Sequence, residues 1–155
     1  MSYINPSPGV ASAEVVLTLS TAVAGNLTLP GLTTITLNNS NDVHTWTQLD
    51  QTSKLQVPTL ATNSLAMNVV LDKDAFFGNA SATANSATAL GLFNLSKQKT
   101  LIGFSLYMGD DQAGSNTKTI SGNAYVTGLA PTVSADSPVW VSPVTLTVSG
   151  DYTVA

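Results

Sequence analysis

His44 is the single histidine of a chain with nine carboxylates, five lysines and no cysteine. An imidazole becomes a catalyst when a nucleophile and an orienting carboxylate stand beside it. Serines are plentiful, yet no G-x-S-x-G elbow presents one. His44 lies in an alternating stretch next to Thr45 and Trp46, and a part-exposed strand histidine accounts for it. Asp110 and Asp111 sit in a glycine-containing loop, where adjacent carboxylates can ligate calcium. The spacing of a calcium-binding loop is absent, and a solvated hairpin tip explains them equally well. Asp72 and Asp74 flank Lys73, a pairing that could serve glycoside hydrolysis, though aspartates at strand ends commonly form turns. Trp46 and Trp140 could stack on a sugar, or anchor a core or an interface, the more usual place for tryptophan. Without cysteine there is no thiol nucleophile, disulfide or Cys-based zinc site. No glycine-rich phosphate loop opens a helix. The expectation is a protein that is not an enzyme, with no catalytic residue, cofactor or metal.

The elements that would carry these residues are mostly strands. "AEVVLTLS" (13–20) alternates, with Val15, Leu17 and Leu19 on one face. Two short strands are expected around Leu27 and Ile35, separated by a Pro30-Gly31 turn. "VHTWTQL" (43–49) alternates again, "DQTSK" (50–54) turns, and "LQVP" is a short strand stopped by Pro58. "NSLAMNVVLD" (63–72) places Leu65, Met67, Val69 and Leu71 on one face. Ala-rich sequence then predicts one helix around residues 83–96, with Ala84, Ala87, Leu90 and Phe93 at helical spacing. Ser81 or Thr83 would cap it, and Lys97 and Lys99 would suit its C-terminal end. Gly91 counts against it by about 1 kcal/mol. "LIGFSLYM" (101–108) is a strong strand, and the polar loop 109–118 follows. Two further strands, roughly 119–130 and 139–149, form a Thr- and Val-rich hairpin, and Pro143 marks a bulge or an edge in the second. The fold class is mainly β: two packed antiparallel sheets, sandwich- or barrel-like, with one flanking helix. One domain is expected over 13–155, preceded by an extended arm at 1–12 that holds Pro6, Pro8 and Gly9.

Composition narrows the function. Charged residues make up 9% of the chain, against roughly a quarter in ordinary soluble domains. Such a surface repels its own copies weakly and favours association. All five cations are lysines, and the net charge is −4, so no basic patch is available to grip phosphates. No signal peptide or membrane-spanning stretch is read, which predicts a protein made in a cytoplasm. The N-x-[ST] triplets at Asn26, Asn38, Asn79 and Asn94 carry no weight in so Ser/Thr-rich a chain.

From "TALGLFNLSKQKTLIGFSLYMGDD" through "SGNAYVTGLAPTVSAD" to "VWVSPVTLTVSG", the sequence resembles the major tail tube proteins of long-tailed bacteriophages. A helix leading into a strand and a polar loop, a Gly before an aromatic strand, and an alternating closing strand that ends in Gly carry the resemblance. "NSLAMNVVLDKDAFFG" fits the same order, so the likeness covers roughly 63–153. It implies subunits that close into six-membered rings, with sheets joined into a barrel, and rings that stack into a tube through which DNA passes without specific binding. It implies a place in the virion tail, in a host bacterium. The chain itself, a tail terminator, a tape measure and distal tail proteins would be its partners. Tyr3, Ile4, Asp110 and Asp111 would then make contacts between rings. Tyr125, Thr127, Asp136, Trp140, Thr145 and Thr147 would line the lumen or the seam between subunits. A capsid decoration protein, or a carbohydrate-binding module using Trp46 or Trp140, is the alternative.

Overall fold

A computed structural model describes residues 13–29, 32–110 and 118–155. The strands are β1 (Ala13–Ser20), β2 (Leu27–Thr28), β3 (Leu32–Trp46), β4 (Leu55–Val70), β5 (Ile102–Asp110), β6 (Lys118–Leu129), β7 (Thr132–Ser134) and β8 (Ser137–Val154). Two short helices, α1 (Lys73–Phe77) and α2 (Ala87–Gln98), lie between β4 and β5.

All pairings are antiparallel, and the strands form one eight-stranded sheet in the order β2-β1-β5-β6-β8-β4-β3, with β7 on β8. The two packed sheets expected from the sequence are thus joined as one hydrogen-bonded path, through β8. The sandwich-like character remains, because both halves of the path bury their apolar face in a single cluster. Leu17 and Leu19 of β1, Leu65 and Met67 of β4, Phe104 and Leu106 of β5, and Val144 and Leu146 of β8 meet there. The period-two alternation predicts these faces correctly.

Strand lengths depart from expectation. The segments around Ile35 and at 43–49 are one strand of 15 residues, and "LQVP" and "NSLAMNVV" are one of 16. Pro58 does not stop β4. It pairs with Val43 next to a register shift between Asn41 and Val43, and a bulge is a position where a strand tolerates proline. The last strand likewise runs past Gly150 to Val154, through an irregularity in which Gly150 takes φ +86°.

Pro143 is explained by the same logic. Leu71 N–H donates to the Trp140 carbonyl at 2.9 Å, which fixes the even residues of β8 as those bonded to β4. The missing N–H of Pro143 therefore faces the other side. There β6 ends opposite Val144 and β7 begins opposite Val141, so no ladder partner needs a donor. The buried Ser142 hydroxyl closes this gap by accepting from Ala130 N–H at 3.2 Å and donating to the Pro143 carbonyl at 2.9 Å.

The helical region is shorter and more broken than predicted. Ser86, not Ser81 or Thr83, caps α2, accepting from Ala89 N–H at 3.2 Å. Residues 79–86 are occupied by turns, among them the bond from Ser81 N–H to the Asn79 side chain. Gly91 takes φ +67° and ψ +173°, so α2 is two short helical segments, 87–90 and 92–98, joined at a kink. The kink rotates the second half: Leu92 and Leu95 are buried, whereas the expected Phe93 is exposed. Helix α1 was not foreseen. Asp72 caps it, its carboxylate accepting from Asp74 N–H at 2.9 Å and Ala75 N–H at 3.1 Å.

Candidate functional site: an uncharged sheet face, a projecting arm and an aromatic cleft

The four neighbouring strands β3, β4, β8 and β6 carry no charged residue in the segments 32–41, 63–71, 139–149 and 119–129. The face turned away from the core bears hydroxyls and amides instead. Tyr125 stands opposite Thr147, and the Thr127 and Thr147 hydroxyls lie 2.9 Å apart. Thr127 also donates to the Thr145 carbonyl at 3.3 Å, and Asn68 Nδ2 donates to the Thr34 hydroxyl at 3.1 Å. Four of the predicted lumen or seam residues, Tyr125, Thr127, Thr145 and Thr147, therefore gather on one face. These hydroxyls are satisfied sideways by one another, and the cations beside them come from α2: Lys99 lines a recess with Tyr125, Thr127 and Thr147, and Lys97 lines one with Thr127.

Trp140 and Asp136 lie elsewhere. Asp136 is in the exposed turn between β7 and β8, and Trp140 is at the start of β8 beside Leu71. There a cleft of about 260 Å³ is lined by Leu71, Asp72, Lys73, Phe77 and Trp140. The rings of Phe76, Phe77 and Phe93 pack behind it at centroid distances of 4.8–6.1 Å. Phe77 and Trp140 are each about half exposed, at 50% and 47%.

The third feature is the far half of the β3–β4 hairpin. Every residue of 38–62 is exposed, apart from the half-buried Leu55. This half belongs to no core and projects as a two-stranded arm. Register places Trp46, Leu55, His44 and Val57 on one face of it. His44 stacks on Trp46 at 5.8 Å between ring centroids, a packing role in place of a catalytic one. Leu49 in the tip turn is fully exposed, and Val43, Val57 and Leu60 are exposed too. Isolated two-stranded ribbons are marginal in water, so an apolar one calls for a covering surface.

The Asp72 carboxylate is engaged as a helix cap, and among the described residues no three metal-ligating side chains cluster. Asp110 ends β5 opposite Ala13. Tyr3, Ile4 and Asp111 lie outside the described residues, as does most of the polar loop. The arm is the feature that sequence reasoning missed. The signal was the apolar alternation in "VHTW" and "LQV", which has no place in a core; reading Pro58 as a strand end concealed it.

No family model matches the sequence, and no curated protein matches it. Solved structures do. A chain in the virion of a native gene transfer agent particle matches with a TM-score of 0.62 and 10% identity, covering 91% of this chain and 95% of its own. A chain of the SPP1 tail tube matches with a TM-score of 0.63 and 11% identity, covering 90% and 76%. A chain of an extracellular contractile injection system, at its sheath/tube terminator in the extended state, matches with a TM-score of 0.60 and 15% identity over 99% of both chains. The protein therefore has the β fold shared by tail-tube and injection-system chains. Among the described residues no helix is long and apolar enough to cross a membrane.

Proposed function

We propose that this chain is a structural subunit of a phage-type tail tube. Copies close into rings of six, rings stack, and DNA travels along the bore. The observation that carries the reading is the fold likeness over nine-tenths or more of the chain to a tail tube and to a gene transfer agent virion. A tail of that agent was refined with C6 symmetry, which supports six copies per ring here. The projecting arm supplies surface for contacts between copies, and the uncharged face supplies a wall that DNA can pass without sticking. The subunit is not an enzyme: its exposed groups are suited to packing. Its place is the virion tail, after synthesis in the host cytoplasm. A terminator, a tape measure and distal tail proteins are its further partners, and residues 1–12 with the 109–118 loop add contacts between rings.

Negative-stain electron microscopy of the concentrated, purified protein tests this. Hollow tubes or six-membered rings with a central channel are the expected result. A uniform population of trimers would instead support a capsid decoration protein. Deleting residues 2–10 is expected to weaken tube growth and leave the subunit folded; unimpaired growth would remove the arm at 1–12 from the account.

A further inference from the structure

The molecule carries an apolar knob and an apolar hole at opposite ends of one strand. The knob is Leu49, fully exposed at the tip of the β3–β4 hairpin. The hole is the cleft at Leu71, Phe77 and Trp140. Strand β4 starts at the tip with Leu55 and ends at Val70, one residue before the cleft. At roughly 3.3 Å per residue, its 16 residues separate knob from hole by about 50 Å. The tip therefore cannot reach the cleft of its own chain.

Both ends carry charges of both signs. Asp50 and Lys54 flank the tip turn, and Lys73 stands between Asp72 and Asp74 at the cleft. All five are exposed. In a chain with only five lysines, two of them occupy these two ends. An aspartate and a lysine at the tip can thus face a lysine and two aspartates at the rim, with the leucine between them entering an aromatic-lined pocket.

We infer that the cleft formed by Leu71, Lys73, Phe77 and Trp140 receives the Leu49 tip of a second copy of this chain. The contact rests on the tube-subunit reading and gives it a specific pair of surfaces. Because knob and hole lie at opposite ends of the strand axis, the contact is heterologous and does not close on itself. Each copy that docks presents a fresh tip or a fresh cleft, so growth proceeds along the hairpin direction. An apolar anchor seated among aromatics inside a charged rim is the arrangement in which single interface residues dominate binding.

The native chain has no cysteine, which makes the test direct. Leu49→Cys and Lys73→Cys are introduced together; both positions are exposed. Assembled tubes are treated with a short bis-maleimide and run on a denaturing gel. A ladder of covalent multimers from the double variant, and none from either single variant, is expected. Tubes that form but give no ladder would overturn this contact and leave the tube reading standing. A native chain that stays monomeric at high concentration would overturn both. In parallel, Leu49→Asp is expected to raise the concentration needed for tube growth on the order of tenfold or more, and Leu49→Met to restore it. Because Leu49 touches no core, Leu49→Asp stays folded, and native-like growth of that variant would also overturn the contact.

Discussion

Two glycines hold the helical region together by close approach. A side chain on Gly91 would meet the Gly78 nitrogen at 2.4 Å and the Phe76 carbonyl oxygen at 2.7 Å, on backbone with φ +67°. One on Gly78 would meet the Ala89 carbonyl oxygen at 2.1 Å. Backbone conformations of the Gly91 kind cost other residues about 1–3 kcal/mol before any overlap is counted. Gly91→Ala is therefore expected to destabilise the fold by about 3 kcal/mol or more, read as a lower urea midpoint. The sequence suggested the opposite, because glycine within a helix-like pattern reads as a small propensity defect. Its use as a contact between two helices depends on α1, which is too short to show periodicity. Asn63 gives a prediction of the other sign. It is buried where the arm leaves the core, and its Oδ1 has no hydrogen-bond partner among the described residues. Asn63→Leu removes an unsatisfied acceptor on the same branched side-chain skeleton and is expected to raise stability by about 1 kcal/mol in the same assay.

The β3–β4 hairpin joins two environments within single strands. Near its base, Leu65, Met67 and Val69 are core residues; beyond Ser40 and Thr62 almost nothing is covered. Replacing residues 42–60 by Asn-Gly would close the Asn41–Ala61 pair with a two-residue turn. The shortened chain is expected to unfold within about 1 kcal/mol of the native protein, since burial carries most of the stability, and to form no tubes. A large loss of stability would show that the arm is part of the fold and not an appendage. Alternation made the core-facing half legible, because burial enforces period two. The arm was harder to read: its apolar residues join no core of the chain, and Pro58 is a strong breaker signal unless a bulge is already known. For the site, Tyr125, Thr127, Thr145 and Thr147 could be grouped from the sequence because β6 and β8 pair as the hairpin predicts. Trp140, grouped with them from the sequence, lies apart. Its surroundings come from Leu71 and Phe77, distant in sequence and brought near by the β4–β8 pairing.

For the whole molecule, scarcity of charge decides behaviour. A duplex held through phosphate contacts is released steeply by salt, with a slope near −0.9 per contact. Four strands without a charge in the segments that form the hydroxyl face offer no such contacts, and Lys97 and Lys99 of α2 are the cations beside it. Assembled tubes are therefore expected to retain linear duplex DNA only weakly, even at low ionic strength. Retention that falls off sharply with added salt would show that a cationic surface lines the bore. Tube growth itself is expected to weaken only modestly with added salt, because the anchors Leu49, Phe77 and Trp140 are apolar and the charges at the contact, Asp50, Lys54, Asp72, Lys73 and Asp74, are exposed and readily screened.

Strand β8 lies in the interior of the sheet, between β6 and β4, although it is translated after every strand it pairs with. Ser64 of β4 waits for Thr147 before its ladder closes on that side, and Ala155 completes the sheet by exchanging 2.9 Å backbone bonds with Thr119. Such distant pairings are slow to form. While the ribosome still holds β8, the two halves of the sheet have no strand between them, and the Leu71–Trp140 wall of the cleft does not exist. A nascent chain can therefore display a sticky arm but has no socket to offer. The order of synthesis thus exposes the arm before the cleft exists.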